Sequence, residues 1–255
     1  MPTPLFAASA QFAIIVASVV ILTFVLRRRY SARWSWWAAG VLAFVASLLR
    51  LPLLAAVNAY APGLALAVAL LSSGLFEEGA RFLVMHRLAR SVRDWPSAVM
   101  FGAGHGGVEA ILIFSFALIN TAVLLLNGDA LIAQIQTTAP AQAEALRTQI
   151  ALLNNTPLWQ FALGAWERVP ALLLHITASI LVMRAVRDHD ARFLFAAIAL
   201  HIALNTLAVL TQQQFGVIAA EAALTIAALG CAWIIFSQRR RDPAEPGAAD
   251  PAATA

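Results

Sequence analysis

Four apolar stretches of this sequence contain side chains that can do acid–base or metal chemistry. They lie in the segments FEEGAR, GHGGVEA, WERVPALLLH and HIALN. A charge at the centre of a bilayer costs at least about 2.5–3.5 kcal/mol, so such residues are retained when they pair or line a wet cavity. The candidate site residues are Glu77, Glu78, Arg81, His105, Glu109, Glu167, His175, His201 and Asn205.

These residue types are sufficient for amide hydrolysis. A glutamate can deprotonate a water while a histidine assists the proton transfer. A histidine and an asparagine amide can donate hydrogen bonds to the tetrahedral oxyanion. Alternatively, His105, His175 and His201 with a carboxylate can bind zinc, which would acidify a bound water. Because the sequence has no HExxH motif, we favour no cofactor and keep zinc as the alternative.

The spacing places several of these groups on shared helix faces. His105 and Glu109 are four residues apart, and so are His201 and Asn205, which makes each pair neighbours on a helix. Glycines surround the first of these histidines, at positions 102, 104, 106 and 107. They permit close approach of a neighbouring helix or leave room for a substrate backbone.

The other two segments show the same pattern. Glu77 and Arg81 are four residues apart, which predicts that the arginine partly neutralises the glutamate. Glu167 and His175 are eight residues apart and share one side of their helix.

Long apolar runs must carry these segments. The 255-residue chain is 61% hydrophobic and 12% charged, which is about half the charge of a soluble domain. A transmembrane helix needs about 20 apolar residues, and seven such runs occur, at 5–26, 36–57, 64–86, 96–126, 161–183, 193–212 and 215–236. We therefore predict an all-α, polytopic transmembrane helix bundle of about seven spans.

Arginines cluster in alternate connections between these runs. All of the basic residues are arginine, and the clusters follow the first, third, fifth and seventh runs. Because such clusters stay in the cytoplasm, we predict an outside N-terminus and a cytoplasmic C-terminus. The net charge of +4 comes from these clusters and indicates the lipid bilayer, rather than a nucleic acid, as the partner.

Depth counting brings the polar groups to one level. His105, His175 and His201 each lie about nine residues from the cytoplasmic end of their run, and Glu77 and Glu78 about ten or eleven, which is roughly 13–17 Å. That is near the middle of a hydrocarbon core about 30 Å thick. Four helices are thus predicted to bring polar groups together.

The chain reads as one transmembrane domain over residues 1–241. One long connection, 127–160, is predicted to be an external loop, and within it Leu146, Ile150 and Leu153 share a helical face. A helix on the membrane surface is therefore plausible there. The tail, 242–255, is rich in Ala, Pro and acid and is predicted to be disordered in the cytoplasm.

The combination of motifs resembles a known group. The order EExxR, GHGGVEA, ER with a histidine eight residues after the glutamate, and HxxxN resembles the YhfC family of bacterial intramembrane proteases. It more distantly resembles the CAAX-prenyl endopeptidase and bacteriocin-processing group, PrsW and the scaffold subunit of gamma-secretase. The resemblance covers a protease-like core of about 70–210. It implies an endopeptidase, glutamic-type in preference to metallo-type, of the bacterial cytoplasmic membrane that cuts a membrane-embedded or membrane-proximal peptide.

The resemblance also implies roles for single residues. Glu77 matches the glutamate that activates water, and His105 matches the histidine that works with it. His201 and Asn205 match the motif assigned to oxyanion stabilisation.

The remaining matches carry less defined roles. Glu78 and Arg81 match positions that orient the first glutamate. The related motif is usually EExxxR, and the shorter spacing here moves the guanidinium by about 100° around the helix. Glu109, Glu167 and His175 fit the YhfC pattern without an assigned role.

A second class of function uses the same buried groups. A non-catalytic membrane scaffold or a proton- or solute-coupled carrier also needs polar residues at membrane depth. Carriers often show inverted repeats, and the sequence shows no clear repeat. Arg50 is interpreted as structural, at the outer interface or paired with Glu167 or Glu109.

Overall fold

The computed structural model describes residues 2–242, which form helices joined by short connections and contain no β-strand. Along these residues the helices are α1 (Thr3–Tyr30), α2 (Trp34–Ser47), α3 (Leu51–Tyr60), α4 (Ala65–Leu83), α5 (Trp95–Ile135), α6 (Pro140–Asn155), α7 (Leu158–Arg187), α8 (Ala191–Phe215) and α9 (Val217–Arg241). Seven helical segments are long and apolar enough to cross a membrane. The predicted all-α bundle of about seven spans is therefore confirmed, while the orientation of its termini stays a prediction.

Two of the seven spans are built from more than one helical piece. The second, Trp34–Tyr60, joins α2 to α3 through a 3-10 turn at Leu48–Arg50. Pro52 lies in the first turn of α3, where proline is tolerated because the first N–H groups of a helix have no carbonyl partner within it. The third, Pro62–Leu88, consists of a 3-10 turn, α4 and a π-helical turn at Val84–Leu88.

Local sequence signals fix where the helices begin and end. Asp94 accepts a hydrogen bond from the backbone N–H of Ser97, and the Ser97 hydroxyl contacts the backbone of Asp94, which forms a capping box at the start of α5. Asp190 caps α8 in a similar way. Arginines occupy the last turns of α1 and α9, where cations stabilise the helix dipole.

The N-terminal part of α5 and the C-terminal half of α7 form the centre of the bundle. Nearly every residue of α5 from Trp95 to Gly107 is buried, as is α7 from Leu174 to Met183. The other spans surround this pair and expose large apolar side chains outward, among them Phe24, Phe195 and Trp233. An exposed apolar surface of this extent fits contact with lipid.

The residues predicted to form an external loop, 127–160, are mostly helical. Residues 127–135 continue α5, and 140–155 form α6, which folds back along it. Ile150 of α6 packs onto Gly128 of α5, and Ala143 is buried on the same face. Ile150, which belongs to the apolar face predicted for this segment, therefore packs against α5.

The predicted disordered tail lies outside the described residues, except for Asp242. That residue contacts Arg187 and accepts a hydrogen bond from the backbone N–H of Trp95. It therefore ties the end of α9 to the ends of α5 and α7.

Candidate active site

Four helices bring the predicted polar residues together inside the bundle. The imidazole centroids of His105 on α5 and His175 on α7 are 5.2 Å apart, and those of His175 and His201 on α8 are 5.6 Å apart. Glu77 and Glu78 reach the same cluster from α4. These distances agree with the prediction, made by counting residues along each run, that the histidines and glutamates lie at a similar depth in the bundle.

Glycines on α5 allow this convergence. A Cβ on Gly102 would lie 2.6 Å from the Cα of Ile176, and a Cβ on Gly106 would lie 2.8 Å from Cδ2 of His175. On another face, a Cβ on Gly104 would lie 2.1 Å from the backbone oxygen of Trp37. Neighbouring helices thus occupy the space beside these glycines, and the alternative of room for a substrate backbone is wrong at these three positions.

Glu77 is the most surrounded carboxylate of the cluster. Its Oε2 lies 3.3 Å from His105 Nε2, 3.7 Å from His201 Nε2 and 4.0 Å from Arg81 Nη2. Its Oε1 faces a different cation, Arg50 Nη2, at 3.8 Å. One carboxylate oxygen is therefore held by the cluster, while the other faces Arg50.

Glu78 holds His201 in one tautomer. Its Oε1 lies 2.7 Å from His201 Nδ1, and both side chains are buried. Since a carboxylate accepts hydrogen bonds, Nδ1 of His201 carries a proton. The neutral ring then has a bare lone pair at Nε2, which is the nitrogen that faces Glu77.

Arg81 fixes the opposite tautomer in His175. Its Nη2 lies 2.7 Å from His175 Nδ1, and its Nη1 donates to the His175 carbonyl oxygen at 2.8 Å and to Ser179 Oγ at 3.2 Å. Arginine can only donate, so His175 Nδ1 is an acceptor and the proton of the neutral ring lies on Nε2. Arg81 also lies 3.5 Å from Glu78 and is wholly buried.

Glu109 lies on the far side of His175 from the arginine. Its Oε2 is 2.8 Å from His175 Nε2. The contact is off the line of a ring N–H bond, so this oxygen has no hydrogen-bond partner among the described residues. The contact is an electrostatic one between a buried histidine and a partly buried glutamate rather than a directed hydrogen bond.

A cavity of about 140 Å³ opens onto the cluster. This volume admits several waters, each of which needs roughly 10–15 Å³ of such space. Its lining includes polar groups from four of the described helices and from the turn between α2 and α3, namely Arg50, Glu77, Glu109, Glu167, Arg168, His175, His201 and Asn205. A wet chamber at membrane depth is the environment in which these residues are tolerated.

Two of the predicted residues line this cavity away from the histidines. Glu167 is ion-paired with Arg168 rather than with His175, and its side chain is 38% exposed. The Asn205 amide donates to Ser73 Oγ at 2.9 Å, which links α8 to α4. Pro170, inside α7, lines the cavity between Glu167 and the cluster.

The donor set fits zinc in its chemistry. Glu77, His105, Glu109 and His175 each offer an atom within 4.8 Å of the others, and imidazole and carboxylate are common zinc ligands. The partnerless Oε2 of Glu109 supports this interpretation. The group contains two of the three histidines predicted as zinc ligands, and His201 lies outside it.

The hydrogen bonds of the imidazoles favour His201 over His175 as a metal ligand. A metal ligand needs a bare ring nitrogen and usually donates its other N–H to a carboxylate or carbonyl. His201 meets both conditions through Glu78. His175 meets neither while Arg81 donates to its Nδ1. The tautomers therefore make His201 a better partner than His175 for His105 in holding a metal.

Sequence reasoning missed the place of Arg50. It was expected to be structural or to pair with Glu167 or Glu109, and its charge contact is with Glu77 instead. Arg50 lies seven residues before the end of the predicted run at 36–57, so its long side chain was expected to reach towards the interface. The nearby Pro52 was the available signal, because a proline there predicts a break that redirects the side chains before it.

Comparisons with known proteins agree with the geometry. A family model described as YhfC intramembrane metalloprotease matches residues 12–227, a range that contains all nine candidate site residues. The chain is 36% identical over 186 residues to "Uncharacterized membrane protein YhfC" of Bacillus subtilis (strain 168), a match that covers 66% of this chain and 67% of that protein. No solved structure matches the chain. Because the family model spans most of the sequence and all of the buried cluster, the chain belongs to the YhfC family of intramembrane metalloproteases.

Proposed function

We propose that this protein is an endopeptidase that hydrolyses a peptide bond in or near the membrane, with Glu77 activating the attacking water. The observation that carries the proposal is the position of Glu77. One carboxylate oxygen is held by the buried cluster, and the residue lines a cavity with room for water at membrane depth. Such a carboxylate can act as a general base where bulk water is excluded.

The reaction needs one water and no other reactant. The water oxygen attacks the carbonyl carbon of the scissile bond while its proton passes to Glu77. The tetrahedral oxyanion then collapses, the carbon–nitrogen bond breaks, and the proton on Glu77 passes to the leaving nitrogen. Glu77 is thereby returned to its carboxylate form, and the products are a carboxylic acid and an amine.

The surrounding residues hold Glu77 and its proton in place. His105 Nε2 lies 3.3 Å from Oε2 and is the nearest group that can exchange a proton with the carboxylate. Arg81 and Glu78 fix the rings of His175 and His201, which keeps the cluster in one hydrogen-bonding arrangement. Pre-organised groups of this kind lower the cost of charge that develops during the reaction.

A metal fits the same cluster. When bound, zinc would acidify a water or polarise the substrate carbonyl. Glu77, His105, Glu109 and His201 are the residues that would hold it, on the tautomers described above. The proposed role of Glu77 as a base then requires that its Oε1 remain available on the cavity side.

The test compares Glu77→Gln with Glu144→Gln, which alters an exposed glutamate on α6. Both proteins are purified and offered a library of 20-residue apolar peptides, with and without a chelator. We expect cleavage by the wild type and Glu144→Gln, and no cleavage by Glu77→Gln at unchanged thermal stability. If no peptide is cut by any of them and Glu77→Gln causes no uncut protein to accumulate in cells, the peptidase proposal fails.

The chelator arm separates the two mechanisms. Loss of cleavage on chelation, with recovery on added zinc, would establish metal-dependent hydrolysis. Unchanged cleavage in metal-free protein would establish the glutamic mechanism. The protein is proposed to act in the bacterial cytoplasmic membrane, which fractionation of cells that express it would test.

A further inference from the structure

We infer that Arg50 is a further catalytic residue, whose guanidinium binds the carbonyl oxygen of the scissile bond and stabilises the oxyanion formed from it. This inference rests on the proposed peptidase function. It starts from the two oxygens of Glu77. Oε2 faces His105, His201 and Arg81, whereas Oε1 faces Arg50 at 3.8 Å.

The reacting water must approach the oxygen that the cluster leaves available. The hydrogen bond that Glu77 makes with His105 uses Oε2. A water held by Oε1 therefore lies beside Arg50, and so does the carbonyl that this water attacks. The oxyanion forms on that carbonyl, within reach of the guanidinium.

Arg50 is free to make this contact, whereas the other arginine near Glu77 is not. Arg81 is wholly buried and already donates to His175 and Ser179. Arg50 has a side chain that is 24% exposed, it lines the cavity, and its contact with Glu77 is longer than a hydrogen bond. Its five N–H donors are always charged and can take a substrate oxygen.

The residue assigned to oxyanion stabilisation by resemblance is less suited to it. His201 donates through Nδ1 to Glu78, so its Nε2 is a donor only when the ring is doubly protonated. Asn205 donates one amide hydrogen to Ser73 and has a second one for the cavity. Arg50 and Asn205 therefore form the pair of donors that does not depend on the protonation of a histidine.

The backbone explains how an arginine inside the second span, Trp34–Tyr60, faces the cavity. Arg50 is the last residue of the 3-10 turn between α2 and α3. A 3-10 turn has about 3.0 residues per turn instead of 3.6, so it rotates the side chains that follow relative to a continuous α-helix. Leu49, the neighbour in the same turn, is 74% exposed and faces away from the cavity.

The experiment compares Arg50→Met, Arg50→Lys and Leu49→Met with the wild type and Glu77→Gln. The probe is the peptide that the wild type cuts fastest from the library, together with its phosphinate analogue, in which a charged tetrahedral group replaces the scissile bond. For Arg50→Met we expect kcat to fall about 100- to 1,000-fold, the size of the loss when one oxyanion donor is removed. KM and thermal stability stay near wild type, and the phosphinate loses affinity by a similar factor to kcat/KM.

The other variants keep the inference open to contradiction. Arg50→Lys keeps the charge and is expected to retain part of kcat. If Arg50→Met does not fold, the fall in kcat of Arg50→Lys tests the inference in its place, and an unchanged kcat overturns it. Leu49→Met is expected to behave as the wild type. Full kcat in Arg50→Met, while Glu77→Gln is inactive, would overturn the inference and leave the peptidase function standing.

Two further outcomes also overturn it. If Arg50→Met displaces the pH profile and reaches wild-type kcat at its new optimum, Arg50 acts only on the charge of Glu77. If the wild type and Glu77→Gln both leave every peptide uncut, the peptidase function fails and this inference fails with it.

Discussion

Arg81 donates to Nδ1 of His175 across 2.7 Å, and this contact decides which imidazoles are available to a metal. Because the His175 proton lies on Nε2, we expect His175→Gln to retain most of the zinc affinity of the protein. His201→Gln removes a bare nitrogen supported by Glu78, so it should weaken zinc binding more. Equilibrium dialysis of metal-free protein against zinc measures both. Equal losses, or a larger loss in His175→Gln, would contradict the tautomer argument.

Gly106 lies directly against the imidazole ring of His175, a residue of the buried cluster. An added Cβ would lie 2.8 Å from His175 Cδ2, so Gly106→Ala should displace that ring and lower peptidase activity. Gly79→Ala on α4 is the control, because its Cβ would meet nothing within 4 Å. The control should keep its activity and gain up to about 1 kcal/mol of stability from helix propensity. Thermal unfolding and peptide cleavage are measured on both variants.

Arg81 is also expected to be a major contributor to stability. It lies among Glu77, Glu78 and His175 with no exposed surface, and removal of one partner of a buried charge pair costs about 3–5 kcal/mol. Arg81→Gln should therefore lower the unfolding midpoint strongly. Arg147→Gln breaks an exposed pair with Glu144 and should change it little. Similar midpoints for the two variants would show that the cluster does not need the buried cation.

The bundle and its polar level could be predicted because each follows from a local pattern. Seven apolar runs and a shared depth for His105, His175 and His201 need only counting along the sequence. The hydrogen-bond partners could not be predicted in this way. Whether Glu78 meets His201, and whether Arg81 reaches His175, depends on the rotation of four packed helices about their axes.

Arg50 shows the same limit at a helix break. A sequence with Pro52 predicts an interruption, but not the angle by which the interruption turns the preceding residues. Glu167 shows a different limit. Its spacing from His175 predicts that both residues lie on one side of α7, but its carboxylate pairs with the neighbouring Arg168 instead. Spacing predicts the shared side of a helix, and competition among nearby charges decides the contact.

Asp188, just beyond the end of α7, should give a measurable pH dependence. Hydrogen bonds from Arg187 and Arg184 lower the pKa of its carboxyl. The stabilisation is therefore present above its ordinary pKa of about 3.9 and is lost as the pH falls through the lowered value. Asp188→Asn should cost at most about 1 kcal/mol at neutral pH, as for exposed pairs. Unfolding midpoints of the two proteins should converge in acid, and a gap that persists below pH ~2 would contradict the assignment.

The orientation predicted from the arginine clusters can be tested with the native cysteine in place. Cys231 is 2% exposed and should not react with a maleimide that cannot cross membranes. Arg147→Cys adds an exposed thiol on α6, and Arg192→Cys adds one near the start of α8. On intact cells the first should be labelled and the second should not, with both labelled after permeabilisation. The reverse pattern would invert the topology.

The length of α5 has a mechanical consequence. From His105 to Ile135 the helix contains no proline and is one element, about 45 Å long at 1.5 Å per residue. Its far part packs against α6, where Ile150 meets Gly128. The imidazole beside Glu77 is thus joined through one continuous helix to α6, so a protein or antibody bound to α6 would act on the site through a rigid element.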